Sequence, residues 1–426
     1  MSEPRVPTGN PSKGGKRRAT RGSAHGMHGG HAGHGHGHGP APELAVSPQA
    51  RLALLGTLAV IAVAVIVGVI GLWPDRGTVH ELAHSMDFAA PGVTFPHGTV
   101  EKVQPVCKEA GAQSQTCGNL IVRVDGHASG TVQVPVPAEV THSGLSRGSR
   151  VQLQATPASG GTPASYSYFS TDRSGGLWLL VGLFVVVVVA VARLRGLFAL
   201  VGLAFGGLVI GGWLIPGLLS GHSPPLVALV AAAGIMYVVL YLTHGASLRT
   251  SAALAGTLGG LGVTALLGFV TVRMTHLTGV ADEGASMLTS SVGHLDFQGL
   301  MTCTVIIAGL GVLNDVTITQ AGAVWELRAA SPTMSRWRLW AGAMRIGRDH
   351  IASTIYTIVF AYAGTALTTL LVIDLYNRPV LELVGTEQIA EEIVRSLVSA
   401  IGLVLAVPLT TVVATLTVPA PVDPLP

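Results

Sequence analysis

The chain has 426 residues, of which 49% are hydrophobic and 11% are charged, with a formal net charge of +3. A soluble globular domain carries about 25% charged residues, so this composition excludes an ordinary soluble protein. Several apolar runs of about 20 residues predict a multi-pass membrane protein instead. The net charge by itself says little, and we expect the lipid bilayer and a small solute or ion as partners, with no nucleic acid.

Residues 1–50 form a basic tail of low complexity, rich in Gly, Pro, Ser, Ala and His. Such a composition buries too little apolar surface to fold, so we expect a disordered cytosolic segment. Neutral imidazoles at this density can chelate zinc, nickel or copper ions. The simpler interpretation is a flexible tail without a cofactor, and a zinc or nickel ion is the weaker alternative. The candidate ligands there are His25, His28, His31, His34, His36 and His38.

The first apolar run, Leu52–Trp73, predicts a transmembrane helix over residues 51–74, and residues 75–173 are then polar. Five short alternating segments in this polar region predict an all-β domain, an OB-like barrel, with a small sandwich as the alternative. If the domain lies outside the cell, Cys107 and Cys117 can form a disulfide. The five segments are Thr99–Val106, Leu120–Val124, Thr131–Val136, Val151–Ala155 and Ser165–Ser170.

Seven further apolar runs follow and bring the expected total to about eight transmembrane helices. They predict a mainly α, seven-helix membrane bundle over residues 174–418, followed by a short cytosolic tail at 419–426. The runs are Leu177–Ala192, Leu197–Leu219, Leu226–Leu242, Ala252–Val272, Leu300–Val316, Ile351–Ile373 and Ile393–Leu416.

Basic residues in the connections between the runs indicate the orientation. The first 51 residues carry seven Lys and Arg, and the connection at 317–350 carries five Arg, whereas the alternate connections are acidic or nearly free of basic residues. Cytosolic loops carry the excess of Lys and Arg, so we expect both termini in the cytosol and residues 75–173 outside. Residues 334–347, rich in Arg and Trp, are expected to form an interfacial elbow helix that feeds the seventh span.

Polar residues near the end of the sixth apolar run are the strongest functional signal. A carboxylate at membrane depth costs about 2.5–3.5 kcal/mol, so Asp315 needs a partner or a role. In a helix, Asp315 and Thr319 share a face and Gln320 lies close by. We expect Asp315 to be an ion- or proton-coupled carboxylate that Arg348 keeps charged. Polar ligands for a solute would come from Asn314, Thr317, Thr319 and Gln320. The alternative is an interfacial Asp315 whose salt bridge fixes the helix register.

The segment HELAH, from His80 to His84, matches the H-E-x-x-H signature of zinc proteases. A metzincin needs a third His six residues further on, where this chain has Ala90. We therefore expect no enzyme, and His80 and His84 remain only weak candidates for a metal site.

Three segments resemble the YibE/F-like family of bacterial multi-pass membrane proteins: 168–210, 309–327 and 347–367. The resemblance covers roughly residues 95–418 and leaves out the tail, the first span and HELAH. It implies a first span, a small outside domain and a compact bundle in the bacterial plasma membrane. The family resembles permeases, without an assigned substrate or mechanism.

The sequence therefore favours a plasma-membrane transporter of unknown substrate that uses Asp315. One alternative is a non-transporting receptor or scaffold whose outside domain binds an extracytoplasmic protein partner. A weaker alternative is a metal-handling membrane protein. The oligomeric state stays open.

Overall fold

The computed structural model describes residues 46–85, 88–104, 118–126, 130–158, 163–375 and 379–422, and most of these residues are helical. The first three helices are α1 (Pro48–Gly71), α2 (Arg76–Ser85) and α3 (Ala138–His142). The helices of the second half are α4 (Ser174–Val209), a π-helical segment (Ile210–Leu214), α5 (Ile215–Leu219), α6 (Pro224–His244), α7 (Leu248–Met274), α8 (Glu283–Ser291), α9 (Phe297–Ala330), α10 (Arg336–Thr365), α11 (Leu367–Leu375), α12 (Val380–Val384) and α13 (Glu387–Thr417).

Six helical stretches among the described residues are long and apolar enough to cross a membrane. They are Pro48–Gly71, Ser174–Leu219, Pro224–His244, Leu248–Met274, Phe297–Ala330 and Glu387–Thr417. This count is lower than the eight expected runs for two reasons. Residues 174–219 form one stretch of 46 residues that holds two of the runs. The expected seventh span, 351–373, is divided between α10, which ends at Thr365, and α11, which begins at Leu367.

The stretch from 174 to 219 is sharply bent at Arg193. This residue has φ 53° and ψ −134°, outside the helical region and uncommon for any residue with a side chain. A Cβ placed on Gly196 would lie 2.6 Å from the carbonyl oxygen of Val188. Residues eight apart in a straight helix are separated by about 12 Å along the axis, so the chain turns back on itself here.

The two ends of the bundle can be defined from contacts between the helices. At the Asp75 end, where α1 and α5 finish, the backbone N–H of Asp75 donates to Ser220 Oγ over 2.9 Å. At the Ser47 end, where α1 begins and α13 finishes, Ser47 and Thr417 line one cavity.

The centre of the bundle is the packing of α7 against α9 and α13. Helices α7 and α13 run antiparallel and approach closely at two reciprocal glycine–threonine contacts. A Cβ on Gly256 would lie 1.9 Å from Thr410 Oγ1, and a Cβ on Gly402 would lie 1.9 Å from Thr264 Oγ1. Glycine is therefore required at both positions, as expected for small residues at helix contacts in membranes.

The β-domain is one antiparallel sheet with the strand order β3-β2-β1-β4-β5. All five expected strands are confirmed, with small shifts at their ends. Their bounds are β1 His97–Gln104, β2 Asn119–Val124, β3 Thr131–Pro135, β4 Arg150–Thr156 and β5 Ser165–Thr171. Val100, Leu120 and Leu153 are among the fully buried residues of its core. Strands β3 and β5 are the edges, so hydrogen bonds do not close the sheet and the expected OB-like barrel is not confirmed. Strand β3 ends at Pro135, which has no N–H to donate.

The expected elbow before the seventh span is not present. Helix α10 runs without interruption from Arg336 to Thr365, and the stacked rings of Trp337 and Trp340 lie in its first turns, with their centroids 4.9 Å apart. Glycines place this basic half of α10 against the bundle: a Cβ on Gly347 would lie 2.7 Å from Val407. The segment is therefore the first part of one long helix that packs on its neighbours, and not a separate helix.

Candidate functional site

Asp315 on α9 faces His350 on the neighbouring helix α10. The distance from Asp315 Oδ2 to His350 Nε2 is 3.9 Å, an ion pair when the imidazole is protonated. The Asp315 side chain is 71% exposed and that of His350 is 32% exposed, so the pair lies on the outer surface of the bundle. His350 Nε2 is buried and has no hydrogen-bond partner among the described residues.

The polar residues of α9 lie on two faces of the helix, and not on one stripe as a simple reading of the sequence suggests. Asp315 and Thr319 are both exposed and do share a face, and Thr319 Oγ1 donates to the backbone oxygen of Asp315 over 2.8 Å. Thr317 and Gln320 are buried on the opposite side, against α7, α10 and α13. Asn314 is half-buried between the two faces, and its Oδ1 has no partner among the described residues.

Gln320 connects three helices through its side-chain amide. Its Nε2 donates to the backbone oxygen of Ala343 on α10 over 3.0 Å and to Thr411 Oγ1 on α13 over 2.7 Å. One helical turn earlier, Thr317 Oγ1 lies 2.6 Å from Thr257 Oγ1 on α7. These contacts fix α9 in position just behind the exposed carboxylate of Asp315.

Arg348, the expected partner of Asp315, makes no ion pair with it in the described part of the chain. Arg348 is exposed, and it follows Gly347, which packs against α13 and Gln320. His350 lies two residues further along α10 and occupies the place expected for Arg348. The sequence does contain a signal for His350, because this titratable residue directly precedes the apolar run that begins at Ile351.

A second charged cluster lies at the Asp75 end, on the first turns of α13. Arg395 Nη1 lies 2.5 Å from Glu392 Oε1, and its Nη2 lies 4.0 Å from Glu391 Oε2. Glu391 is 8% exposed, and its Oε1 has no hydrogen-bond partner among the described residues. The sequence alone places Glu391 and Glu392 in a loop, because the apolar run begins only at Ile393.

Most of the candidate metal ligands and both cysteines of the candidate disulfide lie outside the described residues. HELAH does lie on a helix, α2, where His80 is exposed, while the side chain of His84 lies outside the described residues. The six tail histidines, from His25 to His38, and both Cys107 and Cys117 are also outside them. The described residues contain no group of three or more His, Cys, Asp or Glu that could hold a metal ion.

The chemistry available at the Asp315–His350 contact is proton exchange. An imidazole and a carboxylate can each bind and release a proton, and they lie within ion-pair distance here. A carboxylate and an imidazole on two different helices can therefore couple the binding or release of a proton to a change in how those helices pack.

Comparisons with known proteins identify a family but no function. A family model described as YibE/F-like protein matches residues 180–420, more than half of the chain. No curated protein and no solved structure matches the chain.

Proposed function

The chain belongs to the YibE/F-like protein family, and we propose that it is a plasma-membrane transporter of a small solute or ion in which Asp315 and His350 carry the coupled proton. The carrying observation is the contact between the Asp315 carboxylate and the His350 imidazole across α9 and α10. Ionisable residues inside membrane-spanning segments are rare because they are costly, and they commonly mark ion and proton routes. The side-chain oxygen Oδ1 of Asn314, which has no partner in the part of the chain that the structure describes, and the hydroxyl of Thr319 supply polar ligands beside the pair.

The proposal includes eight membrane crossings with both termini in the cytosol. Two observations support this count. The turn at Arg193 divides 174–219 into two helices, and Ser220 at the end of this stretch contacts Asp75, so the chain returns to the end at which α1 finishes. Helices α10 and α11 together provide the seventh crossing. The basic connections lie at the Ser47 end, as the rule for cytosolic loops requires.

The proposal also assigns residues 75–173 to an OB-like domain outside the cell. An OB-fold is a five-stranded, partly open barrel. The observed order β3-β2-β1-β4-β5 leaves β3 and β5 as the pair that would complete such a barrel.

The transport proposal can be tested with purified protein in liposomes that contain a pH-sensitive dye. A panel of ions and small metabolites is added under a pH gradient, and proton movement is recorded. We expect at least one solute to drive proton flux, and Asp315→Asn and His350→Gln each to reduce this flux to the level of empty liposomes. Asp349→Asn is the matched control, because Asp349 is an exposed neighbour on α10 and should leave the flux unchanged. Equal flux through the wild type and Asp315→Asn would remove the carboxylate from the mechanism.

A second candidate function, a receptor or scaffold, is favoured by an aromatic cluster on the β-domain. The rings of Phe88, Phe95 and Phe169 lie 4.9–5.9 Å apart, centroid to centroid, and Phe88 is 78% exposed. Exposed apolar patches of this kind often mark protein contacts. Under this alternative, Phe88→Ser would abolish binding of an extracytoplasmic partner, and solute flux would be absent from the wild type as well.

A further inference from the structure

A long groove runs between α1 and the neighbouring helices α7 and α13. It consists of two cavities of about 530 and 510 Å³. Both are lined by Thr57, Ala255 and Val413, so the two cavities adjoin, and we name them together the α1 groove. Its volume is large compared with the few small voids of a close-packed protein interior.

Helix α1 packs against α6, while several of the residues that face the groove from α7 are small. Tyr237 on α6 donates its hydroxyl hydrogen to the Leu58 carbonyl over 2.7 Å, and a Cβ on Gly68 would lie 2.7 Å from Val230. A Cβ placed on Gly262, which lines the groove, would meet nothing within 4 Å. The wall along this part is otherwise aliphatic, so the space suits a hydrocarbon chain.

The Ser47 end of the groove is polar and positively charged. Ser47, Gln49, Arg336 and Thr417 line it. Arg336 is half-buried and has no ion pair within the described ranges. Arg328 is close enough to Arg336 for their charges to interact, and it is 1% exposed. Two of its nitrogens, Nε and Nη2, have no hydrogen-bond partner among the residues that the structure describes.

We propose that the α1 groove binds one anionic phospholipid, with an acyl chain along α7 and the phosphate at Arg336. The apolar part of the groove would fit the hydrocarbon chain of any lipid. The positive charge of Arg336 at the polar end favours a lipid with an anionic head group. A phosphate accepts charge-assisted hydrogen bonds from guanidinium groups, and basic pockets between membrane helices are known to hold anionic head groups. This inference does not depend on the proposed transport activity.

The test is native mass spectrometry of the full-length protein in detergent, with phosphatidylglycerol or phosphatidylcholine added separately. We expect one phosphatidylglycerol to be retained about fivefold better than phosphatidylcholine, as expected for one added cationic contact. Arg336→Gln should remove this preference. Arg338→Gln is the matched control, because Arg338 is exposed two residues away and does not line the groove.

A second pair of variants tests the acyl-chain part of the groove. Gly262→Leu places a side chain into the empty space and should reduce the retention of both lipids. Gly311→Leu is its control, because a Cβ at Gly311 also meets nothing within 4 Å but lies on α9, away from the groove. Equal retention of the two lipids by the wild type, or unchanged retention in Gly262→Leu, would overturn the proposal. A lipid-free dimer that Gly262→Leu dissociates would overturn it in favour of a second copy of the chain.

Discussion

The side chain of Asp315 is 71% exposed, so its proposed role in transport can be tested separately from any role in stability. Exposed ion pairs contribute about 0–1 kcal/mol to stability. We therefore expect Asp315→Asn to lower the free energy of unfolding by less than about 1 kcal/mol, measured by thermal or denaturant unfolding in detergent. A loss of several kcal/mol would instead support the interpretation of Asp315 as a salt bridge that fixes the helix register.

Gln320, in contrast to Asp315, is expected to contribute to stability, because it is buried and joins three helices. Replacing it with Met keeps the volume but removes the bonds to Ala343 and Thr411. We expect a loss of about 1 kcal/mol, the usual size for a buried hydrogen bond. Thr319→Val is the control, because the exposed Thr319 hydroxyl bonds only within its own helix. Equal unfolding midpoints for the two variants would contradict the assigned role of Gln320.

The sequence predicted part of this site. Helical periodicity correctly grouped Asp315 with Thr319, because residues four apart lie on one face. It could not show that Thr317 and Gln320 turn towards the core, since that depends on where α7 and α13 pack. The choice of Arg348 as the partner rested on charge alone. The position of His350 follows from Gly347, whose missing side chain sets the close approach and rotation of α10.

At the scale of helices, the glycine–threonine contacts between α7 and α13 fix the distance between these two elements. Gly256→Ala and Gly402→Ala each place a methyl group against a threonine hydroxyl. We expect each to lower the free energy of unfolding by about 1–3 kcal/mol, the usual cost of overpacking. Gly262→Ala on α7 should have little effect, because its Cβ would meet nothing within 4 Å. An equal effect of all three would show that helix propensity, not contact, controls the result.

The apolar runs located the helices well, but they did not reveal how helices are joined or divided. The break between the run 177–192 and the run 197–219, where Arg193 and Arg195 interrupt the apolar pattern, coincides with the non-helical residue Arg193. The prediction of a separate elbow helix before the seventh span was wrong, because an Arg- and Trp-rich composition suits a short separate helix as well as it suits the first turns of a long helix packed on its neighbours. Only the contacts of Gly347 distinguish these two arrangements.

At the scale of the whole molecule, the number of crossings can be tested at the turn of Arg193. Eight crossings require residues near Arg195 to be cytosolic and residues near Gly221 to be outside. Reporter domains that are active on only one side of the membrane, fused after Arg195 and after Gly221, should therefore give opposite signals. The same signal at both positions would mean that 174–219 does not form a hairpin across the membrane.

In the β-domain, the sequence pattern predicts the strands but not the way in which they are assembled. Alternation gave all five strands, because one face of each strand is buried in the core around Val100 and Leu153. It could not give the closure of the sheet, which depends on how the edge strands β3 and β5 approach each other in space.

The most direct test of the account is whether water reaches Asp315. Residues 310–322 are changed to cysteine one at a time, in a background without the three native cysteines, and labelled with a membrane-impermeant maleimide from the Ser47 side. We predict labelling at Asp315→Cys and Thr319→Cys, which lie on the exposed face of α9, and none at Thr317→Cys or Gln320→Cys, which are buried. An unlabelled Asp315→Cys, or uniform labelling from residue 314 onward, would contradict the proposed proton site.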